Sequence, residues 1–95
     1  MPYIHFTWDT RKALLNLKKH DVSFEEARSV FFDSEARFMH DPEHSTEEDR
    51  FILLGLSRRL RLLVVCHTYL REDEQIRIIS ARKATRSERR YYGGR

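Results

Sequence analysis

FILLGLSRRLRLLVVCHTY, residues 51–69, contains two runs rich in strand-forming side chains, 51–55 and 60–69, separated by Leu56, Ser57, Arg58 and Arg59. Strand formers on both sides of a short polar break predict an antiparallel hairpin with arginines at its tip. Along the second arm, alternation sets Arg61, Leu63, Val65, His67 and Tyr69 on one face and Leu62, Val64, Cys66 and Thr68 on the other. The second set is the smaller and more uniformly apolar, so it is expected to be the buried one. That leaves Arg61, His67 and Tyr69 on the more polar face, to which a strand over 75–82 adds Arg77 or Arg82 according to register. The result is a cationic, concave sheet face.

Before the hairpin, residues 4–8 alternate apolar and polar as a short half-buried strand does, and Asp9 stands where a helix N-cap belongs. Over 10–20, Ala13, Leu14 and Leu17 fall at helical spacing, with Arg11, Lys12, Lys18 and Lys19 on the solvated side. Asp21 and Val22 break this helix, and Ser23-Phe24-Glu25-Glu26 reads as a capping box opening a second helix over 24–32. Residues 35–39 suit a short strand, 41–45 form an acidic turn-rich connector, and 71–74 form the next turn. Thr85-Arg86-Ser87-Glu88 is another capping box, predicting a short last helix that stops before Gly93 and Gly94, with 93–95 a frayed end. The predicted order is β-α-α-β-β-β-α. This is an α+β fold in one domain, 1–95, with a mainly antiparallel sheet packed on two N-terminal helices.

Charge is segregated along the chain. Residues 1–20 carry +3, residues 21–49 carry −8 and residues 50–95 carry +8, giving the net +3. Six basic side chains and one acid fall within 82–95, with Tyr91 and Tyr92 between them, a composition suited to a polyphosphate partner. The single cysteine, Cys66, excludes an internal disulfide and reads as a buried, inert thiol in a reducing cytoplasm. There is neither a signal-peptide pattern at the start nor a run near the ~20 apolar residues of a membrane span. A soluble cytoplasmic protein without membrane association is expected.

Histidine titrates near neutrality, so His67 is the foremost candidate for proton transfer, against the plain alternative of a hydrogen-bonded strand histidine. Arg86, Arg89 and Arg90 share a helix face suited to a phosphodiester, since guanidinium offers paired donors to phosphate oxygens. The spacing of His40, Asp41, Glu43 and His44 suggests a metal site only if that segment is helical, and Pro42 argues against it. No metal is expected. Gly55, Gly93 and Gly94 are the only glycines, so there is no phosphate-cradling loop and no cofactor is expected.

Phe6-Thr7-Trp8-Asp9, Asn16-Leu17-Lys18-Lys19-His20, Val22-Ser23-Phe24-Glu25-Glu26-Ala27 and Val30-Phe31 resemble the BrnT family of bacterial type II toxins. So do Asp41 with His44-Ser45, Glu48 and Arg50, Gly55-Leu56-Ser57, Arg61-Leu62-Leu63-Val64-Val65, His67-Thr68, the run 76–85, and Glu88-Arg89 with Tyr92. Asp21 and Leu60 depart from the family, which usually has glycine at both turns. The resemblance implies a RelE-like fold and a translation-arresting ribonuclease neutralised by a BrnA-like antitoxin with a ribbon-helix-helix part. It also implies a 2:2 heterotetramer that reaches operator DNA only through the antitoxin complex.

For such an enzyme, metal-independent cleavage of RNA, free or on the ribosome, assigns Arg61, Arg82 and Arg86 to phosphate and transition-state stabilisation. His67 takes proton transfer, and Tyr92 takes stacking or proton transfer. Trp8 is a further stacking candidate, and Lys18, Lys19, Arg58, Arg59, Arg89 and Arg90 track the RNA backbone. The basic face is the surface the antitoxin is expected to cover. The alternative is a non-catalytic module that binds nucleic acid or a protein partner.

Overall fold

A computed structural model describes residues 4–40, 50–70 and 74–92. The acidic connector with its His40–His44 spacing, the turn at 71–73 and the end at 93–95 lie outside the described residues, apart from the backbone of His40. The order is β1 (His5–Thr7), α1 (Thr10–His20), α2 (Phe24–Ser29), a 3-10 turn (Val30–Phe32), β2 (Arg37–His40), β3 (Phe51–Leu56), β4 (Leu62–Leu70), β5 (Gln75–Lys83) and α3 (Arg86–Arg89). One sheet runs β1-β5-β4-β3-β2, antiparallel except for the β1–β5 pair. This corrects the predicted order by one strand. Residues 37–40 pair with 51–54, and Phe38 stacks on Phe51 with ring centroids 5.1 Å apart, which ties the short segment to the sheet edge.

The main core lies between the helices and one sheet face. Val22, Phe24, Ala27 and Val30 from the helical layer meet Leu53, Leu63, Val65, Ile78 and Ala81. A smaller cluster on the opposite face joins Leu54, Leu62 and Val64 to Ala84 and Tyr92, so the C-terminal segment folds back over the far side of the sheet. Leu62, Val64 and Thr68 are buried as expected, with Cys66 half-buried between them, but the Leu63/Val65/His67 face, expected to be the more open one, is buried too and is the deeper of the two. Two helices cover more surface than one turn of C-terminal helix, and that difference overrides side-chain size.

Capping follows the chemistry in two cases of three. Asp9 accepts from the Lys12 amide at 3.0 Å, and Thr85 with Glu88 forms both bonds of a capping box. At α2, Ser23 accepts from the Glu26 amide, but the Glu26 carboxylate turns inward to Arg61 and Ser57 instead of back to Ser23.

The α1 prediction is corrected more sharply: Leu14 and Leu17 are exposed, and Asn16 is the buried residue. Its amide donates to Val22 O and Ala81 O at 2.9 and 2.8 Å and accepts from Ala81 N at 3.1 Å, replacing one strand position at the sheet edge.

The two turns where the family carries glycine are left-handed here, with φ of 59° at Asp21 and 62° at Leu60. Leu60 N donates to Ser57 O and Ser57 N to Arg61 O, a turn followed by a left-handed residue, the geometry of a hairpin closed by a one-residue bulge. Leucine pays a steric penalty there that glycine avoids, and its side chain is 77% exposed. Leu60→Gly is expected to stabilise the fold by about 1 kcal/mol, raising the melting temperature by roughly 4–8 °C, as thermal denaturation will show.

Candidate nucleic-acid interface

The open sheet face can be followed strand by strand, because residues paired across strands point the same way. Arg37, Leu54, Val64 and Arg82 are in register across β2, β3, β4 and β5, and Met39, Ile52, Cys66 and Ser80 form the next row. Opposite the Cys66–His67 step β5 carries one extra residue, Ile79, after which Thr68 pairs with Arg77. Arg77 lies between the buried Ile76 and Ile78, so it too faces away from the helical layer. Cys66 is half-buried on this open face and not in the deep core as expected.

Arg82 is fixed by Glu88. Its two terminal nitrogens donate to the two carboxylate oxygens, each at 2.8 Å, while the same carboxylate accepts from the Thr85 amide at 2.8 Å. The guanidinium, followed by burial that opposes it and the Thr85 amide that assists, holds Glu88 down to about 2; Arg82 rises in turn through the same pair. One carboxylate thus caps α3 and anchors it to β5.

At the other end of α3, Tyr92 packs on the small cluster, and its hydroxyl donates to Asp33 Oδ2 at 2.6 Å. Asp33 also accepts from the Leu56 amide at 2.7 Å. Burial works against its charge, yet the bonds from Tyr92, Leu56 and Glu35 keep it below the ordinary carboxylate range, and the Asp33 charge pushes the Tyr92 phenol up to about 12. Between these anchors Arg86, Arg89 and Arg90 are exposed, and their side chains make no hydrogen bond or ion pair among the described residues.

The other predicted site residues fall elsewhere. Arg61 does not share a cleft with Arg82. It lies on the helical side, where Nε donates to Glu26 Oε2 at 2.9 Å, a terminal nitrogen bonds Glu26 Oε1, and the same nitrogen donates to Asp21 O at 2.8 Å. Ser57 adds a 2.7 Å bond to the same carboxylate. Glu26 is held below its usual range, first by the Arg61 hydrogen bond, and Arg61 is raised by the same partner.

His67 is also corrected. It is fully buried, walled by Phe31, Phe38, Phe51 and Tyr69 with ring centroids 4.8–6.2 Å away, and its ring nitrogens lie 3.2 Å from Val65 O and 3.3 Å from the Tyr69 hydroxyl. Trp8 packs edge-on to Phe24 against the core. Lys18 and Lys19 are exposed on α1, and Arg58 and Arg59 are exposed at the hairpin tip, where Arg59 Nη1 comes within 3.7 Å of Glu26 Oε1. Among the described residues no group of His, Cys, Asp and Glu is arranged to hold a metal ion.

Burial lowers the His67 pKa to about 4, the Val65 carbonyl opposing only in part. An unfolded chain protonates this ring near 6.5, so between about pH 6.5 and pH 4 the unfolded state binds a proton the folded state refuses. Stability therefore rises with pH across that window and is lost on acidification, by up to about 1.4 kcal/mol per pH unit. Urea midpoints at pH 7 and pH 4.5 should differ for the wild type, and the difference should shrink in His67→Phe.

An α+β body with an open, arginine-bearing sheet face, bordered by a capped basic helix, has the surface of a polyanion-binding protein. The model of the ribonuclease toxin, BrnT, of type II toxin-antitoxin systems matches residues 8–88, and the chain belongs to this BrnT family. The fold is similar to that of the Brucella abortus ribonuclease toxin BrnT in its 1.1 Å crystal structure. The likeness has a TM-score of 0.63 and 23% identity, and it covers 88% of this chain and 99% of that one. No curated protein sequence matches the chain.

Proposed function

We propose that this toxin cleaves RNA on the open sheet face, beside α3, without a metal ion: a ribose 2′-hydroxyl gives its proton to water and attacks the adjacent phosphate, the P–O5′ bond breaks, a 2′,3′-cyclic phosphate forms and the 5′-oxygen leaves as a hydroxyl protonated from water. The carrying observation is that Arg37, Arg77 and Arg82 project from one sheet face while Arg86 stands on the helix that Glu88 ties to Arg82. Guanidinium groups held in place before the reaction can meet the negative charge that develops on the phosphoryl oxygens without reorganising. Arg86 and the free edge of Arg82 take that role. Arg89, Arg90 and Arg37 meet neighbouring phosphates, and Tyr92 holds α3 in position through Asp33. Arg61 serves the fold.

RNA cleavage on or off the ribosome arrests translation, and a BrnA-like ribbon-helix-helix antitoxin neutralises the toxin in a 2:2 assembly that binds operator DNA through the antitoxin. Family membership favours this reading over a non-catalytic binding module. The test is purified toxin with labelled RNA in EDTA, alone and with ribosomes. Cleavage in either arm supports the proposal. Binding without cleavage in both supports the module, and cleavage that appears only when a divalent metal is restored refutes metal independence.

A further inference from the structure

Helix α1 carries more than the fold uses. Its inward stripe is Ala13, Asn16 and His20, and Asn16 supplies its hydrogen bonds to the sheet and to Val22. Leu14, Leu15 and Leu17 remain 65%, 59% and 45% exposed. Arg11, Lys12, Lys18 and Lys19 lie among them. The helix contains no acid, and none of these four side chains makes a hydrogen bond or ion pair among the described residues. Helical spacing places Leu14 and Leu15 on either side of an Arg11–Lys18 ridge, with Lys12 and Lys19 beyond Leu15. That flank opens into a cleft of about 220 Å³ between α1 and β5, floored by Asn16, Ile79 and Ser80.

We propose that the outer face of α1 and this cleft form the docking surface for the antitoxin, and that the occupant is an amphipathic helix bearing aliphatic side chains and carboxylates. The inference rests on the toxin–antitoxin reading above. Four cations, of which among the described residues only Lys12 has an acid nearby in the N-cap Asp9, call for a partner that brings carboxylates, and three exposed leucines call for one that brings apolar area. RNA would satisfy the lysines and leave the leucines in water. A second copy of this chain would set one basic helix against another. An added strand is disfavoured because β1 pairs with β5 only at 75–77 and the Asn16 amide already fills the next edge site at Ala81. Ser80 lies both in the cleft and in the register row beside Arg82, so a helix seated there reaches the rim of the proposed RNA surface.

The test titrates the purified antitoxin encoded with this toxin onto wild type, Leu14→Asp/Leu15→Asp and Lys12→Glu toxin, with melting temperature and RNA cleavage measured in parallel. The double variant should bind about 100-fold more weakly and Lys12→Glu about 10-fold, with melting and cleavage unchanged. Unaltered antitoxin affinity in the double variant overturns the proposal. If cleavage falls instead, the face belongs to RNA, and if only self-association falls, it belongs to a second copy. Failure of wild-type toxin to bind the antitoxin sinks the toxin–antitoxin reading and this inference together.

Discussion

Glu26→Ala is expected to lose about 3–5 kcal/mol of stability at neutral pH. The carboxylate is 2% exposed and receives hydrogen bonds from both sides of the Arg61 guanidinium and from Ser57. Removing it leaves Arg61, itself only 21% exposed, without its main counter-charge. Breaking a buried pair in this way costs about 3–5 kcal/mol, against roughly 5–15 kcal/mol for the whole of a typical domain. It also unties three elements at once, since Arg61 joins α2, the turn at Asp21 and the base of the β3–β4 hairpin. Glu26→Gln, which keeps one acceptor oxygen and the side-chain volume but sets an amide donor where the other oxygen accepts, should lose less, and replacing Glu26 and Arg61 together by methionine should be milder than Glu26→Ala alone. Urea unfolding followed by circular dichroism measures all three. A Glu26→Ala protein within about 1 kcal/mol of wild type would refute this account of the pair.

Arg86→Ala should lower RNA cleavage about 100- to 1,000-fold, the usual loss when one preorganised donor to a developing oxyanion is removed. Its side chain is exposed and unpartnered among the described residues, so the melting temperature should stay at the wild-type value. Arg82→Gln should lose cleavage by a similar factor and also loosen α3, because Glu88 loses the partner that joins its helix cap to β5. Glu88→Gln separates the two contributions. It keeps most of the capping geometry but weakens the pair, so a smaller loss of rate is expected than for Arg82→Gln. Cleavage progress curves with labelled RNA, read beside melting temperatures, distinguish loss of chemistry from loss of structure.

Local chemistry carried much of this fold. The N-caps at Asp9 and Ser23, the full capping box at Thr85 and Glu88, and the hairpin with its arginine tip follow from neighbours within a few residues. Long-range facts did not. Which face of β4 lies more deeply under the helices depends on how much each covering layer hides. That difference in cover bears on His67, which moved from an assumed cleft into an aromatic-lined core. Arg61 looked like a free cation because its buried partner, Glu26, sits 35 residues away and doubles as a plausible capping residue. Arg37 escaped notice because its meaning depends on the register of β2 against β3, which no local pattern in 35–40 specifies. Leu14 and Leu17 misled in the other direction: helical spacing suggested a buried stripe, whereas the asparagine between them makes the attachment.

The division between a buried histidine and a working arginine face is tested most directly by single-turnover cleavage of labelled RNA by purified His67→Phe, under whichever condition, with or without ribosomes, the wild type is active. Phenylalanine suits the space lined by Phe31, Phe38, Phe51 and Tyr69 and removes every titrating atom. A folded His67→Phe protein cleaving at about the wild-type rate is the predicted result. A folded variant that has lost cleavage by two orders of magnitude or more would contradict it and return proton transfer to His67.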